Sequence, residues 1–302
     1  MSESNHSLRA ILYAFLANLG IFLAKSWAAF VTGSGSMLAE AIHSLADCGN
    51  QALLYLGLRQ SQRSPDSEHP LGYGKLSYFW SFIVALLLFS MGGLFSIYEG
   101  WHKLETHEGL HQPWIGLLVL ALGVILESLS LRGCLREIDR LREKKPLWEW
   151  LQDTRNAELV VVLGEDSAAL LGLTLAFLGL GAATVTGNPI YDAAGSIAIG
   201  TVLVLVSLFV AWHIKRLIVG RSAEPEMVQV IDQVIREDPN IVQLFNLITI
   251  QFGPDIMVAA KIRLQPDLSM RSGVRSINCL EQKIKETVPA VKWCFMEPDC
   301  TD

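Results

Sequence analysis

The sequence has few charged residues for its length. Asp, Glu, Lys and Arg make up 18% of its 302 residues, and 51% of the residues are hydrophobic. A soluble protein would have charge on about a quarter of its residues. With a mean hydropathy of +0.36, the shortage of charge argues against a soluble protein and indicates a membrane protein. We expect no nucleic-acid partner.

The apolar residues are concentrated in six segments that approach or exceed the roughly 17–25 residues needed to cross a bilayer. They lie near Ile11–Phe30, Met37–Leu58, Tyr78–Tyr98, Trp114–Leu131, Leu159–Val185 and Ile190–Trp212. The first segment has no small-residue cleavage pattern behind it and is followed at once by the second, so it predicts a span and not a signal peptide. The sequence therefore predicts an all-α membrane domain of six transmembrane helices over residues 1–220.

The basic residues are concentrated in every second loop. Those after the second, fourth and sixth spans contain Arg59, Arg63, Lys75, Arg132, Arg136, Arg140, Arg142, Lys144, Lys145, Arg155, Lys215, Arg216 and Arg221. The opposite loops contain almost none, Lys103 being the clear exception. The positive-inside rule then puts both termini and these basic loops in the cytoplasm.

Cysteine is also scarce, and the five cysteines show no CxxC spacing. Four of them, Cys134, Cys279, Cys294 and Cys300, fall on the side predicted to be cytoplasmic. Disulfides are rare in that reducing compartment. We therefore expect no disulfide framework.

Residues 221–302 have the composition of a small soluble domain. Their apolar spacing predicts helices over Pro225–Asp238 and Ser272–Val288, and strands over Ile241–Phe252, Ile256–Leu264 and Val291–Met296. The order αββαβ allows a compact sheet with two helices on one face. We predict a cytoplasmic α+β domain of ferredoxin-like architecture. Because about eighty residues make a marginal core, we also expect it to pair with a second copy.

The second span contains a ladder of polar residues, Glu40, His43, Asp47 and Asn50, at steps of three and four. An Asp at the centre of a lipid-facing helix costs roughly 2.5–3.5 kcal/mol on insertion scales. His43 and Asp47 share one helical face, where they could bind one cation. The alternative is a buried hydrogen bond between helices.

The fifth span contains two adjacent acids, Glu165 and Asp166. They point about 100° apart around a helix. Asp166 could meet the second-span pair across the bundle, whereas Glu165 could join them or pair with Lys25 of the first span. For Glu127 and Asn18 we favour hydrogen bonds between helices.

In this order, the motifs resemble the cation diffusion facilitator family of divalent-metal/proton antiporters, which includes zinc transporters. The resemblance covers nearly the whole chain: residues 35–41 leading into His43-Ser-Leu-Ala-Asp47, His69-Pro-Leu-Gly-Tyr-Gly-Lys75 in the first cytoplasmic loop, and the αββαβ tail ending in Glu297-Pro-Asp299. It implies a transport site made from a His/Asp-x-x-x-Asp pair in the second span and a His-x-x-x-Asp pair in the fifth. His43 and Asp47 match the first pair, and Asp166 matches the second Asp.

The sequence departs from this pattern at three places. Val162 stands where the fifth-span His is expected. The Glu165-Asp166 pair resembles the divergent branch of the family that contains mitochondrial members, and Glu165 could supply the missing ligand. In the loop, Asp66 and His69 match two accessory ligands, but Tyr73 replaces the third. The tail contains no His after residue 213, so its implied metal site is not expected, although its dimerising role is.

The residues predict efflux of a divalent metal cation in exchange for protons by alternating access, since metal ligands must lose protons to bind. The family implies Zn²⁺, and the added carboxylate also admits Mn²⁺, Fe²⁺, Co²⁺ or Ni²⁺. We expect neither an enzyme nor a cofactor. The alternatives are a passive metal channel and a metal-responsive membrane scaffold. The partners would be the metal, protons, the lipid bilayer and a second copy of the chain. We expect a bacterial inner membrane, with an organelle as the alternative.

Overall fold

The structure is a computed structural model that describes residues 3–32, 35–106, 113–142, 145–188 and 190–301. The described residues form two compact units. The membrane unit comprises those of 1–59, 77–146 and 156–215, and the C-terminal unit comprises those of 60–76, 147–155 and 216–302. These units are spatial, so the functional division of the sequence at residue 220 stays a prediction.

Long helices make up the membrane unit. They are α1 (Glu3–Thr32), α2 (Gly35–Ser61), α3 (Leu76–Leu87), α4 (Phe95–Thr106), α5 (Pro113–Leu141), α7 (Ala157–Thr186) and α8 (Ile190–Val219). A π-helical segment, Leu88–Leu94, joins α3 to α4. Five described stretches are long and apolar enough to cross a membrane: His6–Ala28, Leu76–Glu105, Trp114–Leu141, Ala157–Thr186 and Ile190–Val219. The polar residues of α2 keep that helix, which is 27 residues long, below the same hydropathy. The predicted helical membrane domain is confirmed.

Helix α5 shows how the bundle separates lipid-facing and internal residues. Leu118, Leu122, Ile125 and Leu129 are all exposed and recur at steps of three and four, as a lipid-facing stripe requires. The other side packs on α1 at small residues: a Cβ added to Gly133 would lie 2.5 Å from the ring of Tyr13. Small residues of this kind let membrane helices approach closely.

Polar contacts fix one end of α1 against α5 and α7. The carboxylate of Glu137 lies 2.6 Å from Nδ1 of His6, and both side chains are buried. Arg140 Nη1 donates to the other oxygen of Glu137 at 2.8 Å. Asn156, the N-cap of α7, donates to Ser7 at 2.9 Å.

The π-helical segment and α4 contact α8 through a glycine seam formed by Gly93, Gly100 and Gly200. A Cβ on Gly200 would lie 2.6 Å from the carbonyl oxygen of Gly93, and one on Gly100 would lie 2.9 Å from the carbonyl oxygen of Ala193. The two backbones therefore touch directly, and no larger residue fits.

The C-terminal unit has the predicted order αββαβ. Its elements are α9 (Pro225–Arg236), β1 (Ile241–Phe252), β2 (Asp255–Leu264), α10 (Met270–Thr287) and β3 (Val291–Pro298). The sheet order is β1-β2-β3, with β1 antiparallel and β3 parallel to β2. Gly253, at φ +61°, makes the tight β1–β2 turn. The predicted α+β domain is confirmed.

The central strand β2 alternates between the two faces of the sheet. Ile256, Val258, Ala260 and Ile262 are buried and contribute to a core with residues of α9 and α10 such as Ile231, Ile235, Leu280 and Ile284. On the other face, Ala259 pairs with Ile248 of β1 and Phe295 of β3. Ile248 is 49% exposed and Phe295 56%. We call this row of three residues the outer sheet face.

Two segments from outside the tail also belong to the C-terminal unit: the loop over residues 60–76 and the short helix α6 (Leu147–Asp153). Arg155, just after α6, donates to the carbonyl oxygens of Ser222 and Ala223 at 2.7 and 2.9 Å. In the loop, a Cβ on Gly74 would lie 2.2 Å from the carbonyl oxygen of Phe252. This backbone contact holds the loop against the β1–β2 turn.

Candidate metal-transport site

Helices α2 and α7 place the predicted site residues. Asp47, Asn50 and Gln51 follow one another on α2 at steps that keep them near one face. His43 lies one turn before Asp47, but its side chain is outside the described part of the chain. Glu165 and Asp166 lie within α7, where both are buried.

Glu165 is directed at α2. Asn50 Nδ2 donates to its Oε1 at 3.3 Å, and Gln51 Nε2 donates to its Oε2 at 2.7 Å. Both donors are neutral amides, so they hold the carboxylate in place without cancelling its charge. These bonds direct Glu165 towards the polar face of α2, and its role as a metal ligand stays a prediction. Gln51 was not predicted as a site residue; its signal in the sequence is its position four residues after Asp47.

Asp166 is directed at α5. Ser130 Oγ donates to Asp166 Oδ2 at 2.8 Å, and the Asp166 side chain is almost fully buried. Helix α5 therefore forms a third wall of the site. Ser130 was not predicted as a site residue, although it lies three residues after Glu127 on the same side of α5.

Four buried or half-buried carboxylates interact electrostatically in this region, and we call them the carboxylate centre. They are Asp47 of α2, Glu127 of α5, and Glu165 and Asp166 of α7; the cation acting on Glu127 is Lys25 of α1. A low-dielectric interior strengthens such interactions several-fold over those in water. Among the described residues, these four acids outnumber the one lysine, and this excess of carboxylates would attract a cation.

Among the residues described, no three His, Cys, Asp or Glu side chains converge to hold one ion. Instead, Glu165 accepts hydrogen bonds from two side-chain amides, and Asp166 accepts one from a hydroxyl group. Gln51 Oε1 is buried without a hydrogen-bond partner among these residues. An unsatisfied buried oxygen is rare in folded proteins, and this one lies beside the carboxylate that Gln51 itself binds.

In the loop, Asp66 organises a turn. Its Oδ1 accepts hydrogen bonds from the backbone N–H of Glu68 and His69 at 3.0 and 2.7 Å, and its Oδ2 accepts from the Tyr73 hydroxyl at 2.6 Å. The Tyr73 hydrogen bond, followed by that of His69, lowers the pKa of Asp66 below 3.8. His69 Nδ1 lies 3.7 Å from Asp66 Oδ1. The backbone N–H groups of Asp66 and Gly72 also donate to the carbonyl oxygen of His69, at 3.3 and 2.8 Å. A metal role for Asp66 and His69 stays a prediction.

Cys294 is the buried cysteine of the tail. Burial raises the pKa of the Cys294 thiol to about 12, whereas a metal is bound by the thiolate. The side chain packs in the core of the C-terminal unit. Cys294 thus contributes to the packing of the C-terminal unit.

Long apolar helices around buried carboxylates define a polytopic membrane transport protein. The profile of the cation efflux transmembrane domain matches residues 11–219, so the chain belongs to the cation efflux family. The resemblance to the cation diffusion facilitators is thereby confirmed. It puts the chain among transporters and not among enzymes.

Relatives occur in animals, plants and bacteria. The chain is 33% identical over 277 residues to the mitochondrial proton-coupled zinc antiporter SLC30A9 of Xenopus laevis, covering 91% of this chain and 49% of that protein. It is 31% identical to metal tolerance protein C4 of Arabidopsis thaliana, covering 83% of this chain and 56% of that one. Identity to the magnetosome protein MamB of Magnetospirillum gryphiswaldense is 22%, covering 92% and 89%. The chain thus spans about half the length of the animal and plant relatives.

Proposed function

We propose that the protein exports a divalent metal cation across its membrane in exchange for protons. The carboxylate centre carries this proposal, because buried acids inside a membrane bundle mark ion pathways and proton relays. The names of the relatives, zinc antiporter and metal tolerance protein, supply the direction and the metal class. The substrate we propose is Zn²⁺, with Mn²⁺, Fe²⁺, Co²⁺ and Ni²⁺ as competing cargoes.

The proposed ligands are His43, Asp47, Asp166 and Glu165. One imidazole and carboxylate oxygens bind Zn²⁺ at about 2.0–2.2 Å. Val162, four residues before Asp166, is completely buried and has no donor atom. Glu165 supplies a carboxylate in place of the second imidazole. This exchange adds negative charge and oxygen character, which favours harder cations than an all-nitrogen pair would.

Proton coupling follows from the chemistry of these ligands. Each of them binds metal only when it has lost its proton, so metal and protons compete for the same atoms. A site near the bilayer midplane that opens alternately to each side converts that competition into exchange. In this scheme, Asn50 and Gln51 hold Glu165 when the metal has left, and the metal replaces their hydrogen bonds on return.

Purified protein in liposomes with an imposed pH gradient tests the proposal. We expect Zn²⁺-dependent proton flux that is lost in both Asp47→Asn and Asp166→Asn. Metal flux that ignores the pH gradient would instead favour a passive channel. A folded protein that moves no first-row metal would favour the metal-responsive scaffold.

We also propose a homodimer formed through the C-terminal unit. The outer sheet face exposes the large apolar side chains of Ile248 and Phe295 in one row. Covering such a row with a second copy would enlarge a marginal core. Phe295→Glu should shift the full-length protein in detergent from dimer towards monomer by mass photometry, whereas Val242→Glu, an exposed change elsewhere on β1, should not. A wild-type monomer would contradict the proposal.

The bacterial inner membrane stays the predicted location.

A further inference from the structure

Glu127 and Lys25 are buried ionisable side chains of the membrane unit that are not among the proposed metal ligands. Glu127 of α5 is 3% exposed, and Lys25 of α1 is 7% exposed. A charged group at the centre of a membrane helix costs roughly 2.5–3.5 kcal/mol on insertion scales, so such groups are kept for a function and face the bundle interior.

The packing of α5 between α1 and α7 brings Glu127 to the site. Ser130, one turn after Glu127, donates to Asp166 at 2.8 Å. Leu126, the residue before Glu127, lies against α1, since a Cβ on Gly20 would be 3.2 Å from Leu126 Cδ1. Lys25 follows Gly20 on α1 by little more than one turn. The part of α5 that contains Glu127 therefore contacts α7 through Ser130 and α1 through Leu126.

The charges acting on Glu127 agree with this placement. Asp47, Glu165 and Asp166 repel its carboxylate, and Lys25 attracts it. The described acids of this centre outnumber the cation by four to one. Lys25 thus supplies part of the positive charge that a metal ion would bring to the same acids.

We propose that Lys25 is a tethered counter-cation of the transport centre and that Glu127 anchors it there. This rests on the proposed function and goes beyond it, because it assigns residues that set metal affinity without touching the metal. Lys25 offsets the acids when the centre is empty and competes with the incoming dication. The pair therefore limits how tightly the metal binds and favours its release.

Opposite effects of the two single substitutions follow from this role. Lys25→Gln removes the competing charge and should tighten Zn²⁺ binding at least about tenfold, because like charges repel strongly at low dielectric. Glu127→Gln leaves Lys25 unbalanced and should weaken binding by about tenfold. The double variant should return close to the wild-type affinity. Lys25→Arg keeps the charge and should stay within about threefold of wild type.

The experiment is a Zn²⁺ titration of the full-length protein in detergent, in competition with a chromophoric chelator at fixed pH. A thermal unfolding curve for each variant shows that it is folded. If Lys25→Gln is folded and binds Zn²⁺ no tighter than wild type, the inference is overturned. If that variant does not fold, Glu127→Gln decides, and unchanged or tighter binding overturns it. Zn²⁺ binding that survives in Asp47→Asn and Asp166→Asn, or a wild type that binds no Zn²⁺, would overturn the proposed function as well.

Discussion

Replacing Glu165 by Gln removes a charge from the site while keeping the shape of the side chain. In the native structure, both carboxylate oxygens accept hydrogen bonds from α2, at 3.3 Å from Asn50 and 2.7 Å from Gln51. A Gln side chain offers one oxygen and one NH₂ group. One of the two α2 amides would therefore face another donor and lose its partner.

The expected change in stability is small, because two terms oppose each other. A stranded buried donor costs about 1–3 kcal/mol. Removing a charge from the membrane interior stabilises the protein by roughly 2.5–3.5 kcal/mol. We expect the free energy of unfolding to change by between about −0.5 and about +2.5 kcal/mol. The metal site has no such compensation: changes to groups that merely support ligands cost 10–100-fold in affinity, so loss of a ligand should cost at least about 100-fold.

The assay is Zn²⁺ binding and Zn²⁺-driven proton flux, compared with the matched variant Glu158→Gln. Glu158 lies seven residues earlier on the same side of α7, is 6% exposed and has a hydrogen bond from Ser77. The same chemical change there should leave Zn²⁺ affinity within about threefold of wild type. A Glu165→Gln protein that binds and transports Zn²⁺ like the wild type would refute a ligand role for Glu165.

Further predictions concern the loop of the C-terminal unit. Gly74→Ala puts a Cβ against the backbone of Phe252 and should cost about 1–3 kcal/mol of loop docking, typical of overpacking. Hydrogen exchange of residues 60–76 should rise, whereas Gly187→Ala, where an added Cβ would meet none of the described atoms within 4 Å, should leave it unchanged. Because the pKa of Asp66 is lowered in the folded protein, its contribution to the stability of the loop is complete above pH 3.8 and is lost as the pH falls through the native pKa. Pepsin cleavage of the loop should therefore stay low above pH 3.8 and increase as the pH falls from 3.8 through the native pKa. An Asp66→Asn protein, in which the loop should be open at every pH, is the reference. Tyr73→His should create Zn²⁺ binding in the loop, measurable as an added site in calorimetry; no added site would count against an accessory role for Asp66.

The sequence predicted the elements well because their determinants are local. Apolar length identifies membrane helices without any knowledge of their neighbours, and the predicted strand Ile241–Phe252 has the bounds found in the structure. The Gly253-Pro254-Asp255 turn was equally visible. In the tail, alternation and turn residues therefore determined the fold class.

The partners of the site acids could not be predicted in the same way. Whether Glu165 meets Gln51 or Lys25 depends on how far α7 is rotated about its axis, and α7 is apolar on nearly all sides. Ser130 needs the packing of α5 on α7 before its hydroxyl has a target. The docking of Gly74 on the β1–β2 turn likewise depends on two backbones far apart in sequence. These features are set by tertiary packing, which the sequence pattern does not encode.

The glycine seam has a mechanical consequence. Where Gly93 and Gly200 bring two backbones into direct contact, there are no flexible side chains to repack when the helices shift, so relative sliding would have to break many contacts at once. The segment Leu88–Thr106 and α8 should then move together as one rigid body. Motions that open the carboxylate centre would then involve the helices that line it, because these helices are held together by hydrogen bonds that can break and re-form one at a time. A spin-label pair across the seam should report a constant distance with and without Zn²⁺.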